Sequence, residues 1–592
     1  MKNIMSKTSS DFKLVEQLCF RLLPVQILFA IVDVANGIFS SLFASNYIGT
    51  QALSAVGLYN PIRLFISAIG IILFVGSQIL VGRYIGKNQM SKARNIFSLN
   101  VLISVLFIII VTLFLVIAAT FDLTVIFTHD EQIRAHFNQY LLGSAVGILP
   151  QLLGQQFSGF LSLENQNNRN IVASVSCIIS TVALNYLFIV VLKLEAFGLA
   201  LASSIGLWVF FLVQAQYYLG RRSEFSFSFK NLDWKDSKQL FKIGLTSALS
   251  RVYRGISSII VNALLLHYAG SIGLSAFVAC NTFMDLFWSV PVGMYTVSRM
   301  LISVSIGEED RTTLNEIMRV AFFRFIPILT VIAMLVFFSS DLLTQLYCQD
   351  TSSDMFNMTA LGFKILPMCM PLNIVYLHFA VYAQASSKYI FANILSLFNG
   401  VISLSLFSFI LLPFWGINGV YTADVIKCII SIIIVVVYAR VKIGRFPRTI
   451  DDLMTFPKNF GVPKDSRIDI ALQSMDDAVG ISRKIHRFCI DKGIDKRRSY
   501  FSSIALEEIA TIIIDYGFNK PKHAISLRVT CKDDTVILRL KDNCKPFDYT
   551  KIRDLMNPQD PAAHIGIRVL RHIVQEANYQ KILGMNTLTL KI

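Results

Sequence analysis

Charge is scarce in this chain. Asp, Glu, Lys and Arg make up 16% of its 592 residues and apolar residues 54%, whereas soluble domains carry about 25% charged residues. An ordinary soluble protein of this length is excluded. Paired CxxC spacing is missing as well. The nine cysteines are scattered, and Cys177, Cys280, Cys369 and Cys428 sit inside apolar runs, where they read as small hydrophobes. Neither disulfides nor zinc is expected. No Gly-x-x-x-x-Gly-Lys-Ser/Thr loop occurs, so there is no sign of a P-loop engine and an ion gradient is the expected energy source. Met1 to Lys13 lacks the small-residue cleavage pattern of a secretory signal, so the first apolar segment is expected to remain as a helix.

What is abundant is apolar sequence, in runs long enough to cross a hydrocarbon core of about 30 Å at about 1.5 Å per residue. Their breaks predict helices at 20–45, 59–83, 94–119, 133–160, 169–192 and 196–219, then at 243–267, 272–303, 315–339, 358–384, 389–412 and 416–440. Lys and Arg are absent from segments 46–58, 120–132 and 340–357. They collect instead in alternate loops, among them Arg83, Lys87, Lys92, Arg94, Lys235 and Lys238. The net charge of +16 is therefore membrane topology and not a nucleic-acid footprint. Both termini are expected in the cytoplasm, with the chain in a bacterial inner membrane.

The two halves match at a constant offset of 221 residues. Leu53-Ser54-Ala55 repeats as Leu274-Ser275-Ala276, Asn60 as Asn281, Ser77 as Ser298, Ile85-Gly86 as Ile306-Gly307 and Gly198 as Gly419. One offset held across several helices indicates a duplicated six-helix unit with parallel lobes. The expected fold class is an all-α polytopic membrane protein of twelve helices. A duplicated anchor without a pathway would need no buried charge, so alternating access around a central site is the expectation.

Polar groups within the spans are the candidate ion and substrate residues. Asp33, Asn36 and Ser40 form a stripe in the first helix that could load a cation or proton, or lock packing against a neighbouring helix. Arg251 and Arg254 share a face of the seventh helix. Asp285 in the eighth is a candidate partner, and one Asp neutralises one Arg, leaving a cation for an anionic substrate group. Pro367 and Pro371 should bend the tenth helix.

The run Gly49-Thr-Gln-Ala-Leu-Ser-Ala-Val-Gly57, the loop Val81-Gly-Arg-Tyr-Ile-Gly-Lys87, Asn185-Tyr-Leu-Phe-Ile189 and the pair Gly198/Gly419 resemble the multidrug and toxic compound extrusion (MATE) family over residues 15–445. The resemblance implies two six-helix bundles around a V-shaped cavity and export coupled to inward Na+ or H+ flow. It also marks departures. Ser40 or Ser41 and Asn185 stand where many members carry Asp, and Arg254 stands near an acidic position of the seventh helix. An amphipathic or anionic substrate follows as the expectation.

Pro447, Pro457 and Pro463 mark a linker, 446–464. Beyond it, at 465–592, period-two segments Ile468–Leu472, Ile525–Thr530, Val536–Leu540 and Asn586–Ile592 alternate with helical segments 475–492, 497–517 and 564–577, predicting an α/β sandwich. Ala505–Gly517, Lys541–Phe547 and His564–Leu570 resemble the three ATP-binding boxes of the GHKL superfamily, nearest to anti-sigma-factor kinases. Glu508 matches the general base, Asp542 the adenine-reading Asp, and Gly566 lies in the third box. Ile512 replaces the metal-holding Asn and offers no oxygen ligand, while Cys544 and His564 replace glycines. A degenerate domain without ATP binding, metal or catalysis is expected, in a regulatory or partner-binding role.

The chain therefore divides into a segment 1–19, lobes 20–225 and 226–445, the linker and the GHKL-like domain. The expected function is a non-enzymatic antiporter for small amphipathic compounds, with the bilayer, its substrate and a regulatory protein as partners and no cofactor beyond the coupling ion. A lipid-linked precursor flippase of the same superfamily and a membrane-anchored GHKL signalling protein are the alternatives.

Overall fold

A computed structural model describes residues 2–592 apart from 44–46, 49, 128–129, 221–222, 229–231, 347, 349, 458–459, 463–465, 473–474, 518–524, 533–534 and 545–573. The first half is built from α1 (Lys2–Phe43), α2 (Thr50–Gly86), α3 (Met90–Thr120), α4 (Glu131–Ala145), α5 (Ile148–Leu163), α6 (Asn167–Asn185) and α7 (Glu195–Leu219). The second has α8 (Ser237–Gly307), α9 (Arg311–Val320), α10 (Ile326–Phe338), the short α11 (Ser340–Gln345), α12 (Asp354–Ile365), α13 (Cys369–Ala385), α14 (Tyr389–Leu397), α15 (Ser403–Trp415) and α16 (Ile417–Ile443). Wide turns at Tyr186–Val191, Ala321–Phe325 and Phe398–Ile402 continue α6, join α9 to α10 and join α14 to α15. Apolar side chains point outward along these helices. On α3, Ile110, Phe114 and Ile117 recur at helical spacing and are 64%, 58% and 46% exposed, a stripe suited to lipid.

Among the described residues, ten stretches are long and apolar enough to span a membrane, against the twelve expected. Two local breaks account for the difference. The expected seventh and eighth helices run together as α8, broken at Gly270, whose φ of 67° suits a residue without Cβ. The expected fourth helix, 133–160, is two pieces, α4 and α5, parted at Val146–Gly147 and each shorter than a span. Its freed Val146 carbonyl accepts from Trp208 Nε1 at 3.0 Å. A Cβ on Gly147 would lie 2.5 Å from Ser204 Oγ, so the glycine is what lets α7 approach there. The expected bend of the tenth helix is a tight turn at Leu366–Met368 between α12 and α13.

After α17 (Ile450–Met454), five strands form one antiparallel sheet: β1 (Arg467–Leu472), β2 (Ile525–Lys532), β3 (Thr535–Asp542), β4 (Glu576–Ile582) and β5 (Met585–Lys591), in order β1-β2-β3-β5-β4. Alternation sets its two faces. Leu527, Val529, Leu538, Leu540, Leu588 and Leu590 bury one face against α18 (Met475–Asp491) and α19 (Lys496–Gly517). Asp469, Arg528, Arg539, Thr589 and Asn578 align in register across the other. The expected helix 564–577 is corrected at its end, where residues 576–577 begin β4; 564–573 lie outside the described residues, and Gly566 with them. The side chains of Glu508 and Ile512, matched above only through the GHKL resemblance, are likewise outside the described residues, although their backbone belongs to α19.

Candidate functional site

The two halves meet along a seam of equivalent residues. A Cβ on Gly86 would fall 2.2 Å from the Val304 carbonyl oxygen, and one on Gly307 would fall 2.2 Å from that of Arg83. Residues 86 and 307, like 83 and 304, are related by the 221-residue offset, so the contact is reciprocal. Gly82 packs on its counterpart Ser303 in the same way, and Arg299 Nη1 donates to Oε1 of its counterpart Gln78 at 3.4 Å. These pairs lie on the axis relating the lobes. Glycine is needed because the backbones of α2 and α8 touch. Arg83 reinforces the seam from the first lobe, donating to the Gln384 carbonyl and to Ser387 Oγ, both at 3.0 Å. The same end of the bundle is therefore closed by backbone packing and by buried polar contacts.

Each lobe also has a polar core. In the first, Asn100 Nδ2 donates to Ser77 Oγ at 2.9 Å and Gln156 Oε1 at 3.0 Å, tying α2, α3 and α5 together. In the second, Ser298, the counterpart of Ser77, hydrogen-bonds His378 Nε2 at 2.8 Å. The offset thus preserves the serine while its partner changes.

The predicted site residues divide. Asp33, Asn36 and Ser40 fall within α1, but their side chains lie outside the described residues. Asn185 is fully buried at the end of α6, and among the described residues neither its Oδ1 nor its Nδ2 has a hydrogen-bond partner. Arg251 Nη1 reaches across the lobes to Ser67 Oγ at 2.7 Å. Arg254 is exposed, its backbone against the turn at Gly400, and Asp285 is exposed beyond the break at Gly270. Sequence reasoning missed a charged pair on α16, Asp424 with Lys427, whose side chains are 18% and 14% exposed. Their i, i+3 spacing within an apolar run was the available signal.

The polar face of the sheet packs on the closed end of the bundle. Arg528 Nη1 meets Asp310 Oδ2 at 2.5 Å and Lys541 Nζ meets Glu308 Oε2 at 2.6 Å, while Arg467 hydrogen-bonds Thr312. These partners belong to the second lobe. The first lobe contributes two carbonyls: Asn578 Nδ2 donates to Asn88 O at 3.1 Å, and Leu583 N donates to Leu163 O at 2.7 Å. Asp310 also caps α9, accepting from Thr312 N and Thr313 N. Burial pushes its carboxyl up, but Arg528 and Lys541 outweigh burial and hold it well below the usual carboxylate range. The preceding α17 docks beside them: Asp451 pairs with Arg311, and Lys388 Nζ donates to the Met454 and Thr455 carbonyls at 2.7 and 2.8 Å. Asp542, expected from the GHKL resemblance to match an adenine-reading Asp, is buried; its Oδ1 accepts from Cys544 N at 2.9 Å and Asn586 Nδ2 at 2.7 Å. That carboxylate oxygen is engaged in holding β3 to β5.

The MatE profile matches the chain twice, over residues 27–187 and 247–414, and the two matches begin 220 residues apart, close to the sequence offset. No curated protein matches the chain. Among solved structures, a MATE in the straight conformation has a TM-score of 0.67 at 19% identity, covering 75% of this chain and 98% of that one. The outward-facing conformation of a multidrug resistance MATE family transporter gives 0.66 and 19%, covering 73% and 96%. A MOP superfamily transporter from Pyrococcus furiosus, described as having a binding pocket of reverse polarity, gives 0.64 and 19% with the same coverage. At this identity the likeness is one of fold. The duplicated profile, which spans more than half of the chain, identifies this multi-pass membrane protein as a member of the MatE family, whose members are transporters and not enzymes.

Proposed function

We propose that the chain is a secondary active antiporter that exports small amphipathic organic compounds, anionic ones included, in exchange for Na+ or H+. The reciprocal Gly86/Gly307 seam carries this reading. Two lobes that meet by bare backbone at one end can part there and close elsewhere, as alternating access requires. Counting α8 as two spans about Gly270 and α4–α5 as one broken span makes twelve. The basic loops support a cytoplasmic closed end and cytoplasmic termini in a bacterial inner membrane. Arg251 at the lobe boundary favours an anionic or zwitterionic group over a purely cationic drug, and reversed pocket polarity in the Pyrococcus furiosus relative supports the same direction. Arg251 equally suits the phosphates of a lipid-linked precursor, which is the second reading.

The C-terminal domain, read as a degenerate GHKL module, is proposed to regulate transport by docking on the cytoplasmic end of both lobes. Proteoliposome efflux tests the whole reading, with a cationic dye, an anionic dye and a lipid-linked pyrophosphate under separately imposed Na+ and H+ gradients. Gradient-driven movement of the anionic dye that falls in Arg251→Ala is the expected result. Movement of the lipid alone would replace the antiporter with the flippase, and movement of none of them would overturn the transport reading.

A further inference from the structure

The docked sheet is held to the bundle from its two sides. β1, β2 and β3 reach the second lobe through Arg467, Arg528 and Lys541, while β4 and the turn after it reach the first lobe through Asn578 and Leu583. Between these supports lies a cavity of about 100 Å³, partly open to solvent. Both lobes and the C-terminal domain line it. Ile85 and Asn88 come from the first lobe, Val304 and Ile317 from the second, and Leu583 and Met585 from the C-terminal domain. Most of this wall is apolar.

The charged groups of the wall are matched, with one exception. Arg528 pairs with Asp310 and Asp469, and Lys541 pairs with Glu308. Glu316 is buried and engaged as well. Arg539 stands between the two paired cations, beside Arg528 in register and two residues before Lys541 on the same face. Among the described residues it forms no ion pair. Gln580 lines the same cavity and is 8% exposed, and its buried Nε2 has no hydrogen-bond partner among the described residues. Thr589, opposite Arg539 on β5, has a buried Oγ1 in the same condition. A buried donor left without an acceptor is costly. A guanidinium, an amide N–H and a hydroxyl on one sheet face all call for oxygen acceptors that carry a single negative charge.

We propose that this cavity binds a small organic carboxylate, with its oxygens on Arg539 and Gln580 and its apolar body against Val304, Ile317, Leu583 and Met585. The inference goes beyond the transport reading and does not rest on it. A planar carboxylate matches the guanidinium fork. One unpaired cation neutralises one charge, so a phosphate dianion would carry a surplus charge into the interface. A closed cavity of about 150 Å³ takes a benzene. A partly open one of about 100 Å³ suits an acid of about six non-hydrogen atoms, such as butyrate. Because both lobes and the sheet share the wall, the bound acid bridges the C-terminal domain to the closed end of the bundle.

The test titrates the full chain in lipid nanodiscs with carbon-13 butyrate, followed by NMR line broadening. Saturable binding in the millimolar range is expected, with slower hydrogen exchange at Leu583–Thr587 and at Val304–Ile317. Arg539→Met should weaken binding about tenfold or more, and Gln580→Leu, which keeps the cation, about threefold. Arg539 has no ion pair to lose, so Arg539→Met should melt like the wild type. Butyramide, of the same shape without the charge, should not compete, nor should inorganic phosphate. Equal binding by Arg539→Met, competition by butyramide or phosphate, or no saturable binding at all overturns the proposal. So does binding that survives Arg539→Met and is lost in Arg251→Ala, which would put the acid in the transport pathway instead.

Discussion

At the scale of single residues, the seam makes the sharpest demand. Gly307 has no room for a Cβ, which would meet backbone oxygen at 2.2 Å. Overpacking of this kind costs about 1–3 kcal/mol. Parting the lobes at this seam would relieve the clash, so Gly307→Val should shift them toward parting by about 5- to 150-fold. Ser303→Cys, buried in the closed seam, then becomes a reporter: its labelling by an impermeant maleimide should rise in the Gly307→Val background, and unchanged labelling would refute the gate. The sequence showed Ile85-Gly86 and Ile306-Gly307 as repeat marks. That the repeats touch each other was not legible, because an offset states equivalence and says nothing of proximity.

A second residue lies outside the spans. Glu164 accepts from Ser223 Oγ at 2.9 Å and from Glu224 N at 2.5 Å, and burial pushes its carboxyl up from 4.5 to about 7 against those bonds. The native state therefore binds more protons than the unfolded state between the two values. Stability falls as pH rises through that window and is level above it. In Glu164→Gln this part of the pH dependence should vanish from thermal melts, while a wild-type slope retained in the variant would deny Glu164 the role.

At the scale of elements, helices were legible wherever an apolar run ended in a polar loop. The expected 94–119, 196–219 and 416–440 fall within a few residues of α3, α7 and α16. The break at Gly270 coincides with the gap left between 267 and 272. Breaks without a loop were not legible: Val146–Gly147 is apolar, and its exposed carbonyl is satisfied by Trp208, some 60 residues on. β4 was missed because its alternation is weak, with Ala577 and Gln580 in place of β-branched residues. Arg528, Arg539 and Lys541 alternate with apolar residues along β2 and β3, yet what covers that face is a tertiary fact. That contact can be tested by exchange of charge. Lys541→Glu puts like charges together against Glu308 and should release β3 from the bundle, read as faster hydrogen exchange at Asp310–Thr313. Adding Glu308→Lys should restore protection, and the cation is welcome at the C-terminal end of α8. Failure of the double variant to recover would mean that the pair does not hold the sheet.

At the scale of the whole molecule, the docked sheet touches both lobes but holds them unequally. To the second lobe it offers two ion pairs and Arg467; to the first it offers two hydrogen bonds to carbonyls. Charge-assisted bonds are about twice as strong as neutral ones, so when the Gly86/Gly307 end opens, the sheet should stay with the second lobe and let go of Asn88 and Leu163. Cross-linking can separate the two sides. A disulfide between Asn578→Cys and Asn88→Cys fastens the sheet to the lobe it must release, and is expected to stop dye flux until reductant is added. A short bismaleimide link between Lys541→Cys and Glu308→Cys, whose native side chains meet at their tips, fastens it where it already stays, and should leave most of the flux intact. Equal inhibition by both would mean that the sheet must leave the bundle entirely for the lobes to part, and inhibition by neither would mean that it rides on the transporter without restraining it.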